Sequence, residues 1–148
     1  MDIVRRNTDY ALRAMVNLAK HHRAGYRSTR VIAREEEISY QLACKLLQKL
    51  HDAGLVESVM GPRGGFRLAR NPERVSLLEV IETIQGPVRL NRCLLDSGEC
   101  PRSPHCPVHE KFVLLQEQMV AFMSGTTLSD VCGNGNGQLS DESKGGRL

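Results

Sequence analysis

The chain has 148 residues, 41% apolar and 25% charged, with a net charge of +3. That is enough for one core with an appended element, and ordinary for a soluble protein. No apolar run approaches the ~18 residues of a membrane span. The start, MDIVRRNTDYALRAM, has neither the h-region nor the cleavage site of a signal peptide, so a cytoplasmic protein is expected. The charge is uneven: residues 1–75 hold fourteen Lys+Arg against eight Asp+Glu, and residues 76–148 hold six against nine. A basic amino-terminal half points to a polyanionic partner, usually nucleic acid.

The first periodic segment, about Asn7 to His22, puts Ala11, Ala14, Met15, Leu18 and Ala19 on one helical face, with Gly25 as a stop. A second short helix is expected over 28–37. Ser39 then caps a third, SYQLACKLLQKLHDAGL, whose buried stripe is Ala43, Leu46, Leu47 and Leu50 and whose end is Gly54. Its other face carries Gln41, Cys44, Lys45 and Gln48. Gln bonds adenine edges bidentately, and Lys contacts guanine or phosphate. Taken alone, this is also what any wet helix face offers.

The following segment, LVESVMGPRGGFRLAR, alternates on both sides of GPRGG, a strand–turn–strand frame with Arg63 at its tip and Arg67 and Arg70 on the return. Three helices and then a hairpin is the order of a winged helix-turn-helix, in which the third helix enters the major groove and the hairpin tip reaches backbone or minor groove. Helix face, hairpin and charge agree on double-stranded DNA. The expected fold is therefore mainly α with a small β-hairpin: a winged helix-turn-helix DNA-binding domain over 1–75, a second region over 76–131, and a disordered polar tail over 132–148.

In that second region Ser76 caps a fourth helix running to about Ile84, which Gly86-Pro87 breaks. A long helix starts near Pro107, where Val108, Phe112, Leu115, Met119 and Phe122 step by 4, 3, 4, 3, a heptad seam. Val113, Leu114, Val120 and Met123 form a second stripe. A helix apolar on two sides needs two surfaces to pack on, its own domain and a second copy of the chain, so a homodimer reading a palindromic site is expected. Thr127 or Ser129 caps a last short helix.

Between the fourth and fifth helices lies CLLDSGECPRSPHCPVH, with Cys93, Cys100, Cys106 and His109. Five cysteines in all is an odd number, so disulfides alone leave a thiol over, and a reducing compartment disfavours them. Three Cys and a His is a legitimate zinc set, but zinc loops usually carry a C-x2-C knuckle and this one has none. The wider spacing suits an iron–sulfur cluster better, with zinc as the alternative. The chain has no Gly-rich nucleotide loop and no C-x2-C redox pair, which speaks against an enzyme.

The sequence resembles the iron–sulfur winged-helix regulators typified by IscR, NsrR and RirA, over about residues 1–131. The resemblance is carried by TDYALRAM at 8–15, ISYQLACKLLQKLHDAGLVES at 38–58, GPRGGFRLAR at 61–70, SLLEVIETIQGP at 76–87, the cysteine loop, and TTLSDV at 126–131. It implies a cluster-switched transcription factor, acting as a repressor, with Cys93, Cys100 and Cys106 as ligands. The 38–53 helix and the 61–66 wing would touch DNA through Ser39, Tyr40, Gln41, Cys44, Lys45, Gln48, Arg63 and Gly64. The family divides over the fourth ligand. His109 stands where IscR-like members carry a His, and Asp9 stands where NsrR-like members use an Asp from the partner subunit. Because His109 is close to the last cysteine and costs little loop entropy to bring in, His109 with a [2Fe–2S] cluster is favoured over Asp9 with a [4Fe–4S] cluster. Relative to IscR-like members the first cysteine gap is one residue longer, Met60 replaces an Arg, and Cys44 replaces an acidic residue.

Overall fold

A computed structural model describes residues 2–94, 100, 102 and 105–133. Helices α1 (Arg6–Lys20), α2 (Thr29–Glu35) and α3 (Tyr40–Asp52) precede strands β1 (Val56–Val59) and β2 (Gly65–Leu68). Helices α4 (Leu77–Gln85), α5 (Pro107–Gly125) and α6 (Leu128–Gly133) follow, with 3-10 turns at Pro72–Arg74 and Arg92–Leu94. The result is a winged helix-turn-helix with a long helix appended.

Local chemistry sets the element ends. Ser28 and Ser39 cap α2 and α3, their hydroxyl oxygens accepting from the Val31 and Leu42 amides at 3.2 Å. Ser76 and Glu79 form a reciprocal capping box at α4. At the end of α2 the Ile38 amide donates to the Ala33 carbonyl at 2.9 Å while Glu37 turns to φ 55. The same six-to-one closure ends α3, from the Leu55 amide to the Leu50 carbonyl at 3.0 Å, but there the left-handed residue is Gly54.

One core joins the hairpin to every α-helix but α5. Ala11, Met15 and Leu18 of α1 meet Leu46, Leu47 and Leu50 of α3, together with Val75, Val80 and Leu128, so packing is continuous across the division expected at residue 75. The hairpin pairs antiparallel, Val56 with Leu68 and Val59 with Gly65. Arg27 adds an isolated bridge to β2: its amide donates to the Phe66 carbonyl and its carbonyl accepts from the Phe66 amide, both at 2.8 Å. Ser76 and Thr127 form a matching bridge between the starts of α4 and α6.

Helix α5 has no buried residue. The single seam expected from sequence divides in two: Phe112 and Met119 are half-buried, as are Val113, Val120 and Met123, whereas Val108, Leu115 and Phe122, seven residues apart, are 53%, 48% and 70% exposed. Leu114, expected on the second stripe, is exposed as well. The two rows of the seam lie tens of degrees apart around the helix, and the edge of the half-buried side, which also holds Val113, Val120 and Met123, runs between them. Cys132 and Gly133, assigned to the tail from sequence, are helical in α6, and the Cys132 thiol reaches the Val16 carbonyl at 3.8 Å. The tail expected from residue 134 lies outside the described residues. Among the described residues no helix is long and apolar enough to cross a membrane.

Candidate nucleic-acid interface and cysteine loop

The buried stripe of α3 fixes what its other side presents. With Ala43, Leu46, Leu47 and Leu50 in the core, Tyr40, Gln41, Lys45, Gln48 and Lys49 are exposed and Cys44 is half-buried. Gln41 and Lys45 have no side-chain partner among the described residues. Gln48 donates from its amide nitrogen to Asp52 at 2.9 Å, so reading a base with Gln48 requires that bond to be exchanged. Ser39 is exposed, but its oxygen is already engaged as the α3 cap. Tyr40 stands under the Arg30 guanidinium, 4.6 Å from its ring centroid. Arg30, on α2, was not singled out from sequence; it sets a cation over Tyr40 beside the exposed face of α3.

The wing is less basic than its sequence suggests. Arg67 Nε is 2.9 Å from Glu57 Oε2, and its guanidinium lies 4.5 Å over the Tyr26 ring. The Glu57 hydrogen bond, with Tyr26 adding to it, holds Arg67 still more firmly in its charged form. Arg70 Nη2 is 2.8 Å from Glu79 Oε1. Both cations counted on the return strand are therefore neutralised on the protein itself. Arg63, exposed at the tip beside Gly64, has no such partner among the described residues. Gly64 and Gly65 are both sterically required, since a Cβ on either would overlap neighbouring backbone.

Beside α3 opens a groove of about 350 Å³, lined by Arg5, Arg6, Lys45 and Lys49 with Asn7 and Gln85. Gln85, the last residue of α4, clasps the start of α1. Its Oε1 accepts from the Arg5 amide at 2.9 Å and from the Thr8 hydroxyl at 2.7 Å, and its Nε2 donates to the Ile3 carbonyl at 2.8 Å. Thr8 is fully buried. This long-range pairing satisfies the Arg5 amide at a helix end that has no side-chain cap of its own, and nothing in the sequence signals it.

The cysteine loop leaves α4 through Gly86 and is tied down on the way. Val88 is buried, and the Leu90 amide donates to Gln116 Oε1 of α5 at 2.9 Å. Cys93 lies in the turn Arg92–Leu94, Cys106 is the N-cap of α5, and His109 is half-buried in the first turn of α5. The Cys106 sulfur makes no capping hydrogen bond. Cys93, Cys100 and Cys106 are half-buried free thiols. Among the described residues no three Cys, His, Asp or Glu side chains gather closely enough to hold a metal ion. The donor set nevertheless suits an iron–sulfur cluster: three reduced thiols on one loop anchored at both ends, with an imidazole behind the last. Asp9 is exposed in the first turn of α1, 3.9 Å from Arg13. There it serves the helix dipole and an i,i+4 ion pair.

The profile of the Rrf2 family, described as iron-dependent transcriptional regulators, matches residues 4–134. The transcriptional regulator IscR of Xenorhabdus nematophila is 31% identical over 84% of this chain and 76% of its own length. Among solved structures, CymR, the global cysteine regulator of B. subtilis, superposes with a TM-score of 0.76 at 27% identity, covering 90% of this chain and 98% of CymR. The IscR of T. potens has the same fold, with a TM-score of 0.73 at 23% identity over 96% of this chain and 93% of its own.

Proposed function

Because the chain belongs to the Rrf2 family of transcriptional regulators, we propose that it is a cytoplasmic, homodimeric repressor whose grip on a palindromic operator is set by an iron–sulfur cluster. The observation that carries this is the bracketing of Cys93, Cys100 and Cys106, all free thiols, between the helix that clasps α1 and the helix with an exposed apolar face. Cys93, Cys100 and Cys106 would hold the cluster, with His109 as fourth ligand in a [2Fe–2S] centre, or the partner's Asp9 in a [4Fe–4S] one. Such a group supplies bonds that tie the loop's cysteines together and a centre that reacts with oxidants, nitric oxide or iron loss.

The chain's own residues do the rest. Gln41, Lys45 and Gln48 read base edges from α3, with Cys44 beside them. Ser39 and Tyr40 hold the helix start against the backbone. Arg63, on the slim tip at Gly64, enters the minor groove or meets phosphate. Val108, Leu115 and Phe122 meet their counterparts across a two-fold axis, which sets the spacing of the two α3 helices. Gln85 joins the loop's entrance to the start of α1, so a change in loop shape is felt beside the recognition helix. A ligand that favours one loop conformation shifts affinity only through such differential contacts.

The test is anaerobic purification followed by iron, sulfide and zinc analysis, optical and Mössbauer spectra, and binding to an operator selected from random duplexes, with and without the cofactor. We expect iron and sulfide in stoichiometric amounts, lost on replacing any one of Cys93, Cys100 or Cys106 by Ala and retained in Cys44→Ala and Cys132→Ala. Zinc in the site would replace the sensing role with a structural one. A colourless, metal-free protein whose DNA affinity is unaffected by the three substitutions would refute the cluster. The likeness to CymR then favours a second reading, in which the signal is cysteine supply.

A further inference from the structure

We infer that the groove between the start of α1 and the flank of α3 is a phosphate clamp for the DNA backbone. The inference rests on the regulator reading, and it adds Arg5, Arg6 and Lys49 to the surface that touches DNA. Four cations line the groove and no carboxylate does. That composition is unusual within this molecule. Arg13 pairs with Asp9 and Glu36, Arg27 with Glu35, Arg67 with Glu57 and Arg70 with Glu79. Arg5, Lys45 and Lys49 have no carboxylate within ion-pair distance among the described residues, and Arg6 spends its Nε on the Tyr10 hydroxyl at 3.0 Å. Those four paired arginines are cancelled on the protein itself, whereas here four cations gather in one groove without a carboxylate among them, a field that an external anion would satisfy.

Position selects the anion. Lys45 belongs both to the groove and to the polar face of α3, and Lys49 is one turn further along. A helix lying in the major groove has phosphates running along its flanks, and protein groups beside it fix register by gripping them. The first amides of α1 add to the grip without making the site, since they have no intrahelical acceptor. Gln85 closes the back of the groove while holding the α1 start in place. The ligand is thus a phosphodiester, bound without regard to base.

The test uses full-length protein and fluorescence-anisotropy titrations across a salt series, on an operator enriched from random duplexes and on a scrambled duplex. The double variant Arg5→Gln/Lys49→Gln alters two exposed side chains outside the base-reading set, and circular dichroism checks its fold. We expect about tenfold weaker binding at low salt, as for loss of a charge-assisted contact. The slope of log K against log salt should become shallower by about one unit per protomer. Both changes should be the same on the two duplexes, and Arg5→Lys/Lys49→Arg should restore them. Unchanged affinity and slope would overturn the clamp. So would a loss confined to the operator, which signals base contacts. A titration with inorganic phosphate followed by NMR separates a small-anion site: phosphate binding lost in the double variant, with the DNA slope intact, also overturns the clamp. If Arg63→Ala lowers the slope and the double variant does not, the clamp alone fails. If the unaltered protein binds no duplex, the regulator reading fails with it.

Discussion

Replacing Gly65 by Ala should detach the wing. Gly65 has φ +148, and an added Cβ would overlap the Arg27 carbonyl and come within 2.8 Å of the Ser28 nitrogen. All of these are backbone atoms, so no side chain can move aside. Relief requires β2 to separate from Arg27, which breaks both 2.8 Å hydrogen bonds between Arg27 and Phe66. Two net backbone bonds at about 1 kcal/mol each, with about 1 kcal/mol of backbone strain, give a loss of about 3 kcal/mol. That is a large share of the ~5–15 kcal/mol typical of a domain, and for a chain of this size it lowers Tm by about 10 °C. Gly61 supplies the comparison: its φ is +111 but a Cβ there meets nothing within 4 Å, so Gly61→Ala should cost only the strain, about 1 kcal/mol. Urea unfolding followed by circular dichroism measures both. Equal losses at the two positions would refute the reasoning, because backbone approach at Arg27 is what sets them apart. The Gly65 variant should also weaken DNA binding, as Arg63 loses its fixed position.

Phe122→Glu, on the exposed face of α5, should convert a dimer to monomer in analytical ultracentrifugation, since burying such a side chain is worth about 1.5–3 kcal/mol per copy; an unchanged mass would place the dimer contact elsewhere. Glu37→Gly should raise stability by up to about 1 kcal/mol in urea titrations, because Glu37 holds φ 55 at the end of α2 where Gly suffers no steric penalty. The Glu35 carboxylate is held below its ordinary range, first by the Asn17 hydrogen bond and then by Arg27. Its stabilising share is therefore present above the unfolded-state value and lost as pH falls through the depressed folded value. Glu35→Gln should remove that part of the acid limb, and an unchanged limb in pH-dependent unfolding would show the contact to be idle.

Much of the fold was legible because periodicity and caps agree locally. The apolar stripe of α3 and the serines before α2, α3 and α4 each announce themselves within a few residues, and so does the GPRGG turn. The exposed face of α3 was legible to the same depth: a stripe that fixes the buried side of the helix fixes its wet side too. What was illegible is everything that depends on pairing at long range. Nothing near Gln85 indicates that its amide reaches Ile3, Arg5 and Thr8, some eighty positions away. Nor does the sequence around Arg67 and Arg70 show that Glu57 and Glu79 will cancel them. The uncancelled groove at Arg5 and Lys49 was hidden for the same reason, since its halves come from different helices. The heptad of α5 did not show where burial would stop, with Phe112 and Met119 inside its edge and Val108, Leu115 and Phe122 outside it.

The bridge between Ser76 and Thr127 has a mechanical consequence. The Leu77 amide donates to the Thr126 carbonyl and the Leu128 amide to the Val75 carbonyl, both at 2.9 Å. Helix α4 thus leaves, and α5 ends, at one pinned point, with Val75 and Leu128 buried in the core beneath it. Segments joined in this way cannot slide past one another at that point. At the opposite ends of these two helices stand Gln85, which clasps α1, and Cys106, the N-cap of α5. The spacing of α4 and α5 is thus fixed by backbone at the end away from Cys106, and at the other end it is tied by the Leu90 amide on Gln116.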